Sequence, residues 1–343
     1  MTRRSQGQHA TVPDAVGIRA RHIWTANTLA AHPLLLTPDK GFLAVCSVEG
    51  DVIFLDRQHW TEITRGMHRA VVLAMCWATL CNQPVLACLC GDGDIRLWPL
   101  NARFVLQQTS RAVIVHTRFS AIVEGMIAYE EDRQTLAVAG GGRLTVWWLG
   151  SLRRLRADSP ITHLRFVEAG TRLLVFYRTG AMVEFDVVEH KILSEVKPSE
   201  NMECRDTAVT SNASGIIICL GDQELRTYDI SVMRKAKKRG RSQQQVLARF
   251  ALPFPGCEES GQAVGFYRGD VAVTSTVSGL IQLWDIARGI PCGGFRAHGS
   301  RVKSILDLSF DDLKYMALGT SAGVEIWEGK RILMVKIKCS EQR

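Results

Sequence analysis

Gly279-Leu-Ile-Gln-Leu-Trp284-Asp285 is the most regular copy of a pattern that recurs along this chain of 343 residues. Each copy has a turn that contains or follows glycine, four or five residues of alternating character, one large apolar residue and often an acid. Alternation of this kind, rich in β-branched and aromatic residues, predicts a β-strand that follows a tight turn. We call the large apolar residue of each copy the anchor. The seven anchors are Leu55, Trp98, Trp147, Phe185, Tyr228, Trp284 and Trp327.

Short apolar runs accompany the anchor strands. One run lies upstream of each anchor strand, another precedes most of those, and a further run follows most anchors. Successive anchors are 43, 49, 38, 43, 56 and 43 residues apart. Four strands in each of seven units, repeated about every 40–45 residues, predict an all-β fold, a seven-bladed β-propeller of four-stranded antiparallel blades. Six or eight blades remain alternatives, because the first and fifth units match the pattern least well.

The copies that end in Trp284-Asp285, Trp327-Glu328, Phe185-Asp186 and Tyr228-Asp229 resemble WD repeats, over roughly residues 30–340. The resemblance implies a non-catalytic protein-interaction scaffold that binds partners through its blade-connecting loops. The sequence departs from the WD pattern in two ways. The Gly-His pair is nearly absent, and the turn Ser321-Ala322-Gly323 of the last unit has no Asp. We therefore expect stability to rest on strand pairing and blade packing rather than on the internal hydrogen-bond network of that family.

The pattern divides the chain into two parts. We expect residues 1–20 to form a disordered polar tail. Residues 21–343 are expected to form a single propeller, with an insertion at about residues 231–245. A propeller has to close its ring, since free β-edges invite aggregation. Leu333–Ile337 can supply the outer strand of the last unit, and Arg21–Ala26 can pair there instead or in addition, so the sequence leaves the closing strand open.

The insertion contains six basic residues and no acid. These are Arg234, Lys235, Lys237, Lys238, Arg239 and Arg241. The chain has a net charge of +8, so this segment accounts for six of the eight excess charges and the remainder carries +2. Three hypotheses remain: a nuclear-localisation signal, a contact for nucleic-acid or anionic lipid phosphates, and a solvated loop without a role. The segment has no aromatic residue on which bases could stack, so nucleic-acid binding through it would be salt-sensitive and independent of sequence.

Trp60 is the candidate surface anchor for a partner, because His59-Trp60-Thr61 is predicted to lie in a loop and exposed tryptophans are frequent binding residues. A packing role for this side chain is an equal alternative. We expect other proteins as partners, whose identity the sequence does not give, with nucleic acid as a further possibility through the basic segment.

Catalysis and cofactor binding find little support in the sequence. The nine histidines are scattered, and no paired metal-ligand spacing or nucleophile motif occurs. We therefore expect no enzyme activity, no catalytic or metal residues and no cofactor. The alternative is a propeller enzyme, whose carboxylates would converge on the central channel from separate blades.

Composition and targeting features favour a reduced compartment. Hydrophobic residues make up 46% and charged residues 22% of the chain, which excludes a collagen-like or wholly disordered protein. No apolar leader follows Met1, and the ten cysteines include no CxxC pair. Residues 70–91 lack charge over a length that can span a bilayer, but Asn82-Gln83-Pro84 predicts a turn between two strands. We expect no membrane span and a cytoplasmic or nuclear location, or both.

Overall fold

A computed structural model describes most of the chain. The described residues are 16–26, 31–47, 49–67, 70–103, 106, 111–117, 119, 122, 124–148, 151–156, 159–196, 203–209, 216–220, 224–229, 246–251, 261–268, 270–298, 301–308 and 315–333. Within them the regular structure consists of 28 β-strands and no helix. The strands form seven four-stranded antiparallel sheets.

The first three blades follow one another in sequence. Blade 1 contains β2 (Ala31–Leu36), β3 (Phe42–Ser47), β4 (Asp51–Asp56) and β5 (Glu62–Met67). Blade 2 contains β6 (Val72–Leu80), β7 (Gln83–Cys90), β8 (Ile95–Pro99) and β9 (Val113–Val115). Blade 3 contains β10 (Gly125–Glu130), β11 (Thr135–Gly140), β12 (Arg143–Trp148) and β13 (Ser151–Arg156).

The next three blades have the same order of strands. Blade 4 contains β14 (Ile161–Val167), β15 (Arg172–Tyr177), β16 (Met182–Asp186) and β17 (Lys191–Val196). Blade 5 contains β18 (Asp206–Val209), β19 (Ile216–Leu220), β20 (Glu224–Asp229) and β21 (Val246–Ala251). Blade 6 contains β22 (Gly261–Tyr267), β23 (Val271–Thr276), β24 (Leu280–Asp285) and β25 (Ile290–Arg296).

Blade 7 joins the two ends of the described chain. It contains β26 (Ser304–Asp307), β27 (Tyr315–Thr320), β28 (Gly323–Leu333) and, as its outer strand, β1 (Val16–Ala26). The pairing of β1 with β28 runs from Val16 opposite Leu333 to Ala26 opposite Val324. Of the two candidates for closing the ring, the N-terminal segment is therefore the correct one. Because its partner strand is eleven residues long, β1 extends back to Val16, and the tail boundary expected after residue 20 falls inside this strand.

The first strands of the blades form the inner wall of a closed ring. In cyclic order β2, β6, β10, β14, β18, β22 and β26 each contact the next, and β26 contacts β2. The prediction of an all-β, seven-bladed propeller is thereby confirmed. Seven clusters of apolar side chains fill the seven interfaces between neighbouring blades. Burial against a neighbouring blade on both faces explains why several strands are apolar throughout.

The anchors contribute to these interfaces. Leu55, Trp98, Phe185, Tyr228, Trp284 and Trp327 are buried, and Trp147 is partly buried. In blades 1, 4, 5 and 6 the outer strand carries one extra residue opposite the anchor, a β-bulge. The N-terminal strand reproduces this bulge against Trp327, between His22 and Trp24. The closing strand thus has the geometry of an ordinary outer strand.

The acid that follows many anchors stabilises the next turn. The carboxylate of Asp186 accepts hydrogen bonds from the backbone N–H groups of Val188, at 2.9 Å, and Glu189, at 2.8 Å. Asp56 and Asp285 accept in the same way from the third residue after each of them, at 2.9 and 3.0 Å. An acid at this position therefore closes a tight turn on the far side of the anchor strand.

The last blade replaces the missing turn Asp with a buried Glu. The Glu325 carboxylate accepts hydrogen bonds from the indole N–H of Trp327, at 3.0 Å, and from the backbone N–H of His298, at 3.1 Å. The imidazole of His298 lies against the Trp327 ring, with 5.5 Å between ring centroids. A different network of polar groups thus supports the anchor of this blade.

The uncharged stretch at residues 70–91 forms two strands. β6 and β7 pair through a turn at Cys81 and Asn82, both of which have positive φ. Among the described residues, no helix has the length and apolar character required to cross a membrane.

We expect deletion of residues 1–26 to lower the melting temperature by at least about 10 °C, because it removes a whole strand pair and uncovers the edge of β28. Circular dichroism and light scattering measure the melting temperature and the oligomeric state. The matched control lacks only residues 1–15 and retains β1, so it should keep the oligomeric state of the intact chain and melt near the same temperature. Equal melting of the two deletions would contradict a closing role for β1.

Candidate functional site

The strand order gives the ring two distinct faces. The inner strands begin on one of them, which we call the entry face. Because the strands are antiparallel, the turns between second and third strands lie on this face too, and the turns between third and fourth strands lie on the other. The central channel opens on the entry face into a cavity of about 360 Å³, which we call the mouth. A smaller cavity of about 210 Å³ adjoins it between blades 3 and 4.

Six blades contribute described residues to the mouth. Its lining comes from the starts of β6, β10, β14, β18 and β22, from the residue before β26 and from one turn of blade 4. The floor is apolar: Val72 and Ile161 are buried, and Met126 is partly buried. Val71, at the rim, is 48% exposed. An apolar floor with a rim of polar groups is the usual composition of a site that binds a side chain or short segment.

The rim carries charged residues of both signs. Arg178, in the turn of blade 4, forms an ion pair with Glu124 of blade 3. This hydrogen bond raises the pKa of the Arg178 guanidinium, and the charge of Glu203 adds to the effect. Arg205 and Lys303, before the inner strands of blades 5 and 7, are exposed.

Asp206 is the carboxyl group held most firmly at the mouth. Its two oxygens accept hydrogen bonds from the backbone N–H groups of Val264 and Thr207, each at 2.8 Å. The bond to Val264 joins blade 5 to blade 6. Burial raises the pKa of Asp206 to about 7, although both N–H donors favour the ionised form.

Backbone hydrogen bonds hold the loops of the entry face in place. The N–H of Ile122 donates to the carbonyl of Gly91, at 2.8 Å, and links blade 3 to the turn of blade 2. The backbone N–H of Cys204 donates to the carbonyl of Arg178, at 2.5 Å, and links blade 5 to blade 4. Arg301 donates to Val277, at 3.1 Å, and links blade 7 to blade 6. These loops therefore lose little conformational entropy when they bind a ligand.

The prediction that Trp60 is a surface anchor is wrong. Trp60 is 7% exposed and packs in the interface between blades 7 and 1, in the same cluster as Leu55. Its φ is +56°, and its N–H donates to the carbonyl of Asp56 at 2.7 Å. This left-handed position ends the turn after the anchor strand and directs the side chain inward. The equivalent positions, His190 and Gly289, also have positive φ.

None of the seven anchors lines the mouth. The basic residues Arg234, Lys235, Lys237, Lys238, Arg239 and Arg241 lie outside the described residues. The anchors serve packing between blades. No group of three His, Cys, Asp or Glu side chains in the described part of the chain is placed to hold a metal ion.

The polar residues of the mouth were missed by the sequence analysis. They come one or two from each of five blades and share no motif. The available signal is positional: Glu124, Arg205 and Lys303 each stand immediately before the first strand of a repeat unit. Once the units are aligned, such positions are expected to ring the channel.

The seven sheets and the closed ring define the chain as a β-propeller. Among solved structures, it is similar to the β-propeller domain of Cps50 (Swd1) from Myceliophteria thermophila, with a TM-score of 0.71. The likeness covers 90% of this chain and 99% of that chain at 16% sequence identity, so it establishes the fold alone. No protein-family model and no curated protein sequence matches the chain.

We expect Asp206→Asn to change the pH dependence of stability. The folded state keeps a proton on Asp206 up to about pH 7, whereas the unfolded chain loses it near pH 4. Between these values the native chain loses stability relative to the variant as the pH rises, by at most about 1.4 kcal/mol per pH unit. Urea unfolding at several pH values measures this difference, in which the contributions of other titrating groups cancel. If the difference in the free energy of unfolding between the native chain and the variant stays constant from pH 4 to 8, burial does not raise the pKa of Asp206.

Proposed function

We propose that the protein is a non-catalytic scaffold that binds partner proteins through the blade-connecting loops of its entry face. The observation that carries the proposal is the mouth, where rim residues from separate blades surround an apolar floor and are held by hydrogen bonds between blades. Rigid loops on a rigid ring provide a surface that binds at small entropic cost. The likeness to a solved propeller domain supports the fold on which this proposal depends.

The mouth offers a partner more than polar contacts. Val71 leaves about half of its surface in water at the rim, and Leu73 and Met126 are only partly covered. Burial of exposed apolar area beside positioned polar groups is the common source of affinity in protein interfaces.

Two exposed valines allow a matched test of the two faces. Val71 is 48% exposed on the entry face, and Val188 is 39% exposed in a turn on the opposite face. We expect Val71→Glu to reduce the recovery of specific partners about tenfold or more, because it places a charge in an apolar contact. Val188→Glu should leave recovery unchanged. Affinity capture from cell extract with quantitative mass spectrometry measures both, after thermal melts show that both variants fold.

The same experiment separates the alternatives. Loss of partners with Val188→Glu but not with Val71→Glu would move the binding surface to the opposite face. A third variant changes the six basic residues of 234–241 to Ser and Gly. If nucleic acid or nuclear proteins disappear with that variant alone, the basic segment is the functional element and the ring is its carrier.

The cytoplasmic or nuclear location remains a proposal, and microscopy of a fluorescent fusion with and without this segment tests it.

A further inference from the structure

Three sulfur atoms meet in the interface between blades 1 and 2. They belong to Cys46 of β3, Met75 of β6 and Cys88 of β7, which are at most 8% exposed and share one apolar cluster. The Cys46 thiol donates a hydrogen bond to the Met75 sulfur at 3.1 Å, and the Cys88 thiol is hydrogen-bonded to that of Cys46. Because Cys46 gives its only proton to Met75, Cys88 is the donor in the second bond. We call this connected group the sulfur trio.

The backbone sets the positions of all three sulfurs. Met75 and Cys88 are cross-strand partners in blade 2, so their side chains lie side by side on the face that meets blade 1. Cys46 approaches them from blade 1, one residue before the end of β3. Since the three residues come from three strands of two blades, no spacing in the sequence reveals the group.

The donor atoms of the sulfur trio suit a soft metal ion. Thiolate and thioether ligands select Cu(I) and zinc among the common metals of proteins. A structural zinc ion takes four ligands. The sulfur of Cys90 belongs to the same described cluster, but it is directed to the carbonyl of Cys88, at 3.8 Å, and to Arg96. Three sulfur donors in apolar surroundings therefore favour Cu(I), which accepts fewer ligands than zinc.

Arg96 balances the charge of a bound ion. Two thiolates and one Cu(I) ion together carry a single negative charge, which an apolar interface disfavours. Arg96 is the cross-strand partner of Cys88 in β8, and its guanidinium charge acts on the thiols of Cys88 and Cys90. An ion pair with Asp92 holds this guanidinium in place. Burial raises the pKa of the Cys88 thiol, and Cys46 adds to the effect, so this sulfur keeps its proton until a metal displaces it.

Binding requires only a small movement of the side chains. Three sulfurs at about 2.3 Å from a shared ion stand about 4 Å from one another, so the Cys46–Met75 separation widens by about 1 Å. The unbranched side chain of Met75 supplies this movement through its torsions. Cys46 and Cys88 lie one and two residues from the entry-face ends of their strands. Local opening at that end of the interface is therefore sufficient to admit an ion.

We infer that Cys46, Met75 and Cys88 form a binding site for one Cu(I) ion, which joins blades 1 and 2. The ion takes the place of the two thiol protons, so two protons leave as one Cu(I) enters, and no atom changes its oxidation state. A metal that binds only the folded ring stabilises it. This inference is independent of the proposed scaffold function.

Anaerobic titration of the full-length protein with Cu(I) tests the inference. Bicinchoninate, a coloured Cu(I) chelator, serves as the competitor. We expect the protein to withdraw one ion per chain from the chelator and its melting temperature to rise by about 3 °C or more. X-ray absorption spectroscopy of the loaded protein should show three sulfur neighbours. Nitrogen or oxygen neighbours, or loading without a rise in melting temperature, would overturn the inference. These measurements use the unaltered chain and do not depend on the folding of a variant.

Single substitutions locate the ion. Cys46→Ala and Cys88→Ala should each weaken Cu(I) binding by about a hundredfold or more. Met75→Leu should weaken it about tenfold, because leucine keeps the volume of the side chain but lacks the sulfur. Cys292→Ala is the matched control, since Cys292 is a buried free thiol of blade 6 and its removal should leave binding unchanged. Thermal melts without metal show whether each variant folds.

Other results assign the ion elsewhere and overturn the inference. Loss of binding in Cys81→Ala identifies the exposed thiol of Cys81 as an adventitious surface ligand. Equal losses in Cys90→Ala and Cys88→Ala identify a site with four sulfurs, for which a parallel titration with Zn(II) should show the tighter binding. Retention of Cu(I) by both Cys46→Ala and Cys88→Ala excludes the sulfur trio.

Discussion

The pairing of β1 with β28 is the contact on which the rest of the ring depends. Each blade has two broad faces, and a neighbouring blade covers each of them. A row of seven blades without closure would split the cluster that joins Leu34 of blade 1 to Ile326 of blade 7 and leave both halves open to water. β1 completes blade 7 and also contacts β25 of blade 6. One strand pair therefore completes the last blade and fixes it against blade 6, and β2 contacts β26 and β27 on the other side of that blade.

Closure of this kind tolerates wide variation in the repeated pattern. The anchor of blade 1 is only Leu55, and Trp60 supplies aromatic volume to the same cluster. The anchor of blade 2 is Trp98, and the neighbouring strand β5 of blade 1 has Gly66 beside it. A Cβ at Gly66 would lie 3.1 Å from the indole ring. Blade 7 lacks the turn Asp, and Glu325 serves Trp327 instead. The volume and the polar groups required at each interface are met by different residues in each blade.

Local patterns in the sequence allowed most strands to be predicted. They did not predict contacts between residues that lie far apart in the chain. Alternation and the preceding glycine turn placed a strand in Gly279–Asp285, and the structure has β24 at Leu280–Asp285. The closing strand was undecided because Arg21–Ala26 and Leu333–Ile337 are equally strand-like, and the choice depends on a partner at the other end of the chain. Trp60 was misplaced because loop sequences do not reveal a left-handed backbone in a non-glycine residue. The mouth was missed because its residues converge only after the ring has closed.

The order in which the chain is synthesised gives the closing strand a special difficulty. Strands within blades 1–6 find their partners among segments made just before or after them, but Val16 pairs with Leu333. At ordinary translation rates β1 therefore leaves the ribosome roughly 15–60 s before its partner exists. During that interval β1 is an unpaired strand beside growing blades that expose apolar faces. The period of greatest risk of misassembly is set by translation time, and a chaperone that protects this protein has its main task at the N-terminus of the nascent chain.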